Sequence, residues 1–103
     1  MKTIRVALEY GLYPIWLLYE QGIIVENILA EELGFDAEFS NKVQKLQDLY
    51  DSLYINTDVD FYYIGQMEPK KVEKIKHLYT DISSEFKVKL RNKYKIEISK
   101  LYL

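Results

Sequence analysis

Phe39, Val43, Leu46, Tyr50 and Leu53 recur at intervals of four, three, four and three residues. That spacing gathers all five on one side of an α-helix and leaves the other side polar, so the segment has to lay one face on a core. It predicts a helix from Ala37 to about Tyr54, with Asp36 as its N-cap. A second stripe, Val72, Ile75, Tyr79, Ile82, Phe86 and Leu90, predicts another helix from about Pro69 to Lys93. Pro69 suits its first turn, and the Ser83-Ser84 pair is expected either to bend the helix or to mark a break. Two one-sided helices of this kind need a second layer to cover them.

The remaining segments supply a sheet. Ile4, Val6, Leu8 and Tyr10 alternate with Thr3, Arg5, Ala7 and Glu9, the pattern of a half-buried strand over residues 3–10 that Gly11 ends. Leu12 to Tyr19 is apolar on both sides, with pairing expected from Ile15 or Trp16 because Pro14 has no N–H to donate. Glu20-Gln21-Gly22 reads as a turn and Ile23-Ile24-Val25 as a brief third strand completing a hairpin. In the connection Glu26 to Phe35, Leu29 and Leu33 turn inward, and Gly34 stops a short helical turn. Asn56-Thr57-Asp58 is a loop, Val59 to Ile64 a strand ending at Gly65, and Lys95 to Leu103 a last strand with Ile96 and Ile98 on one face. The order β-β-(β)-α-β-α-β indicates an α+β two-layer sandwich, a largely antiparallel sheet with two main helices on one face. At 103 residues, 49% of them apolar, the chain is read as a single domain, 1–103.

Several chemistries find no foothold. With no cysteine there is neither disulfide, thiolate metal site nor cysteine nucleophile. The single histidine, His77, sits among Lys70, Lys71, Lys74 and Lys76 with no nucleophile context, and is read as a solvated residue. Asp58 and Asp60, two apart, share a face if extended, but lack the central glycine and distal glutamate of a calcium loop, so no metal or cofactor is expected. The apolar run from Tyr10 to Tyr19 is interrupted by Pro14 and is shorter than the roughly 20 residues a spanning helix needs. With no cleavage site after it, a cytoplasmic location is expected.

Charge is split by position. Residues 1–60 hold eleven Asp/Glu against four Lys/Arg, while residues 61–103 hold five against ten. Lys87, Lys89, Arg91, Lys93 and Lys95 interleave with Val88, Leu90 and Tyr94, which is compatible with a nucleic-acid face. The chain as a whole is acidic, however, so a solvated basic helix face is the preferred reading and no nucleic acid is expected as partner. The uncompensated carboxylates of the N-terminal part would attract a cationic partner and speed its encounter. Ten tyrosines exceed what a core of this size requires, and tyrosine favours interfaces by joining a rigid ring to a polar tip.

The run Glu9-Tyr10-Gly11-Leu12-Tyr13-Pro14-Ile15-Trp16, then Gly22, an acidic stretch, Leu49-Tyr50-Asp51-Ser52-Leu53-Tyr54 and Asp60-Phe61-Tyr62-Tyr63-Ile64-Gly65 resembles small bacterial immunity proteins. These neutralise nuclease toxins of contact-dependent growth inhibition and related polymorphic systems. The resemblance implies a non-enzymatic protein that binds a cognate toxin with a basic surface, and it transfers no inhibitory residue by position. Under that reading the expected contacts are Glu31, Glu32, Asp36, Glu38, Asp48, Asp51, Asp58 and Asp60, with Tyr54 and Tyr62 as aromatic anchors. Another protein-interaction or regulatory role is the alternative.

Overall fold

The computed structural model describes residues 2–20 and 25–103. Strands β1 (Thr3–Val6), β2 (Ile15–Leu18) and β3 (Val25–Ile28) lead into helix α1 (Ala37–Asp51). Strands β4 (Tyr54–Asn56) and β5 (Phe61–Tyr63), helix α2 (Pro69–Leu90) and strand β6 (Lys95–Ile98) follow. The main sheet runs β3-β2-β1-β6, antiparallel except where β1 and β6 pair in parallel. The fold is α+β, as the periodicities indicate.

Both helices follow their stripes. Phe39, Val43, Leu46 and Tyr50 of α1 are buried, as are Ile75, Tyr79, Ile82, Phe86 and Leu90 of α2. All but Tyr50 join Ile4, Val6, Ile15 and Ile28 of the sheet in one core, whose aromatic centre is Phe35 stacked on Phe39 with Phe86 edge-on to both. The Asp36 carboxylate accepts from the Phe39 N–H at 2.9 Å and caps α1 as expected. A 3₁₀ turn at Ala30–Leu33 precedes it, closed by Gly34 at φ 85°, a conformation that favours glycine. Ser83 lies buried within an uninterrupted α2.

The sheet departs from expectation in four places, the first being that the last strand, expected over Lys95 to Leu103, ends at Ile98. β1 ends at Val6: the Ala7 N–H still donates to Pro14 O in register, but Pro14 has no N–H to return, Ala7 O accepts from Trp16 Nε1 instead, and the chain then turns through Gly11, at φ 75°. Leu8 and Tyr10 therefore leave the strand. The predicted strand over 59–64 proves to be half of a separate antiparallel hairpin, β4–β5, in which Tyr54 faces Tyr63, Ile55 faces Tyr62 and Asn56 faces Phe61. The third strand is Val25–Ile28, and the expectation for Ile23 and Ile24 lies outside the described residues. Among the described residues no helix is long and apolar enough to cross a membrane.

Candidate protein-interaction surface

Where β1 stops, residues 7–13 form a loop that four side chains hold in place, the first being Trp16, whose Nε1 donates to Ala7 O at 3.3 Å. The Asp51 carboxylate, at the end of α1, accepts from the Gly11 N–H at 3.0 Å and from Gln47 Nε2 at 2.7 Å. Gln47 in turn donates to Glu9 O at 3.1 Å. On the other side Asn27 of β3 accepts from the Tyr13 N–H and returns its own amide to Tyr13 O and Ile15 O. The loop is thus pinned between a helix and a strand, and Tyr10 is carried out over the hairpin.

There Tyr10 meets Tyr54 and Phe61. Its ring centroid lies 5.4 Å from that of Tyr54 and 5.0 Å from that of Phe61, tilted on both, while Tyr54 and Phe61 stack in parallel at 5.3 Å. Tyr50 and Tyr63 pack edge-on against Tyr54 from beneath, and the Tyr50 and Tyr54 hydroxyls lie 3.0 Å apart. Burial and that hydroxyl contact push the Tyr50 phenol well above its ordinary range, and burial raises Tyr63 as well. The inner rings are therefore structural. The outer ones are not covered: Phe61 is 55% exposed and Tyr10 37%, with Leu12 and Tyr13 exposed beside them on the same loop.

Carboxylates belong to the same segments. The hairpin turn is closed by Thr57 N–H to Asp60 O at 2.8 Å and Asp60 N–H to Thr57 Oγ1 at 3.0 Å, which sets Asp58 and Asp60 on either side of a Val59 that is 88% exposed. Glu9 lies on the pinned loop and Asp51 at its anchor. No Lys or Arg occurs in residues 6–41 or 46–69, so the segments that build this surface are without a cation.

The ten expected contact residues do not form one face. Glu38 and Asp51 stand thirteen residues apart on α1, about 20 Å along its axis. Glu31, Glu32, Asp36 and Glu38 cluster at the start of that helix, where Lys42 and Lys89 line the same shallow pocket as Asp36 and Glu38. Two of that group serve local structure, Asp36 as the cap and Glu32 by accepting from the Leu29 N–H at 2.6 Å. At the other end Asp48 accepts from Gln44 Nε2 at 2.9 Å, and Asp51 is only partly exposed, occupied with Gly11 and Gln47. The two expected aromatic anchors lie on opposite sides of the hairpin, because Tyr62 pairs with Ile55 while Tyr54 pairs with Tyr63.

Tyr10 and Phe61 were not among the expected contacts. Tyr10 falls on the apolar side of an alternation that stops before it, and Phe61 occupies a hairpin whose existence depends on pairing with residues 54–56. His77 is exposed on α2, and among the described residues no group of three or more His, Asp or Glu is placed to hold a metal ion. No protein-family model matches the chain, and no curated protein matches it.

Proposed function

We propose that the chain is a non-enzymatic binding protein that docks on a cationic partner through the Tyr10–Tyr54–Phe61 surface and its flanking carboxylates. In the more specific form of this reading it is a cytoplasmic immunity protein that neutralises a cognate nuclease toxin in a one-to-one complex. The observation that carries it is the exposure of Phe61 and Tyr10 on cation-free segments bearing Glu9, Asp58 and Asp60. Rigid rings at the centre of a contact supply most of the affinity, and carboxylates around them steer and select a basic partner. Nuclease active sites are cationic because they hold phosphates, so a carboxylate-flanked surface suits them.

Co-expression with the product of the gene immediately upstream tests the proposal. That product alone should arrest growth, the wild-type chain should restore it, and a chain carrying Phe61→Ala with Asp58→Lys and Asp60→Lys should not. A neighbour that is harmless, or that remains toxic beside the wild-type chain, defeats the immunity reading.

A further inference from the structure

A groove of about 560 Å³ runs between the last turns of α2 and the start of β6, lined by Lys87, Val88, Arg91, Tyr94, Lys95 and Ile96. Its composition is two-sided. Val88, which is 69% exposed, Tyr94 and Ile96 provide apolar surface, and three cations surround them. Among the described residues the ion pairs are Arg5–Glu97 and Glu85–Lys89, and neither involves Lys87, Arg91 or Lys95. This charge faces solvent uncompensated.

The groove also borders a sheet edge on which, among the described residues, no strand pairs. β6 is the terminal strand of the order β3-β2-β1-β6. Lys95 donates its N–H to Lys2 O and Ser99 donates to Val6 O, so the odd-numbered residues of this strand address β1. In a parallel ladder the main-chain groups of alternate residues point to opposite edges, and those of Ile96 and Ile98 are directed away from β1. An edge of this kind accepts a further strand, with backbone bonds providing affinity and flanking pockets selecting side chains.

We propose that this groove receives an extended, acidic segment of a partner protein, which adds to β6 as a fifth strand of the sheet. Every second side chain of that segment faces α2, where carboxylates pair with Lys87 and Arg91 and apolar groups rest on Val88 and Ile96, while Lys95, opposite Thr3, offers its charge to the other face. Charge decides the occupant. Pairing β6 with a second copy of itself would set these three cations against their own duplicates. A nucleic acid would satisfy the cations but would leave the amide and carbonyl groups of the edge without partners. The groove uses elements other than those of the acidic aromatic surface, so the two proposals succeed or fail separately.

Fluorescence anisotropy with a labelled peptide of about ten residues, in which Glu and Val take turns at every second position with Thr between them, tests this directly. The peptide should bind the full chain, and replacement of its Glu by Lys should abolish binding. N-methylation of alternate peptide amides should weaken binding roughly tenfold or more in one of the two registers, since only one set of amides faces β6. The exposed changes Lys87→Glu and Arg91→Glu should weaken it similarly, and bound peptide should slow amide exchange at Ile96 and Ile98. The proposal is overturned if the peptide does not bind, if both N-methylated forms bind as the parent does, if a single-stranded oligonucleotide binds in preference, or if the chain dimerises through β6. Each result leaves toxin neutralisation by the other surface unaffected.

Discussion

The Tyr79 hydroxyl of α2 lies 2.6 Å from the carbonyl oxygen of Ser99, just beyond β6, and 2.9 Å from that of Val6 at the end of β1. Val6 O also accepts the Ser99 N–H at 2.9 Å. One buried phenol therefore joins the helix to the only parallel strand pair of the described sheet, where no tight turn connects the strands and long-range contact has to hold them. Tyr79→Phe removes that clasp and leaves Ser99 O without this donor. The expected loss is about 1–2 kcal/mol of unfolding free energy in denaturant titration.

Tyr63 provides the contrast. Its hydroxyl is buried, and among the described residues it has no hydrogen-bond partner. The same substitution, Tyr63→Phe, discards a group that contributes nothing in the folded state and is better solvated in the unfolded one, so it should be neutral or stabilising by up to about 1 kcal/mol. The two variants, measured side by side, separate the value of a bonded phenol from that of a buried one. A loss at Tyr63 equal to that at Tyr79 would contradict the assignment. Gly65 borders the same ring, and a Cβ there would overlap it, so Gly65→Ala should displace Tyr63 and cost roughly 1–3 kcal/mol.

Alkaline titration should expose the buried phenols. Burial raises Tyr79 to about 12 and raises Tyr50 as well, from the ordinary value of 10.0. Above pH 10 the unfolded chain releases these protons while the folded chain retains them, so the folded state binds more protons and stability falls as pH rises. The contribution is intact below pH 10 and declines by about 1.4 kcal/mol per pH unit for each such group, until that group ionises in the folded protein. Denaturation midpoints measured across this window should fall steadily, and Tyr79→Phe should remove part of the slope.

Asp51 is an acidic residue whose local role outweighs its charge. It ends α1 and fixes the Gly11 turn from which Tyr10 reaches the hairpin. Asp51→Ala frees the Gly11 N–H and Gln47, with an expected cost of about 1–3 kcal/mol. It should also increase the solvent quenching of tyrosine fluorescence as Tyr10 loosens from Tyr54 and Phe61. An unchanged stability would show that Asn27, Gln47 and Trp16 hold the loop without Asp51.

These features differ in how far they can be read from the chain. Both helices are legible because a 3.6-residue period is local and extends over five or six apolar positions, and the Asp36 cap lies within three residues of the N–H that donates to it. The end of β1 is not, because alternation continues to Tyr10 while the residue that faces Ala7 across the ladder, seven residues on, is Pro14, which has no N–H to return. Of the hairpin, β5 falls within the strand read over 59–64, but β4 and its pairing escape, because three residues at the end of the helical stripe are too short to show a period of their own. The charge split is plain in composition, but which carboxylates share a surface depends on contacts such as Asp51 with Gly11, forty residues away.

The acidic aromatic surface makes a kinetic prediction that distinguishes its two components. Asp58→Lys and Asp60→Lys lie on an exposed turn whose closing bonds use the main chain and Thr57, so the fold should tolerate both. They should lower the association rate of a basic partner and flatten its salt dependence, with a smaller effect on dissociation. Phe61→Ala removes an exposed ring that stacks on Tyr54, and its effect should lie mainly in dissociation, at about 2 kcal/mol or more, roughly thirtyfold in Kd. Tyr62→Ala, on the opposite side of the same hairpin, and Glu31→Lys, in the 3₁₀ turn before α1, should change neither rate appreciably. Surface plasmon resonance over a range of ionic strength measures both rates, and a larger loss at Tyr62 or Glu31 than at Phe61 would move the interface away from Tyr10, Tyr54 and Phe61.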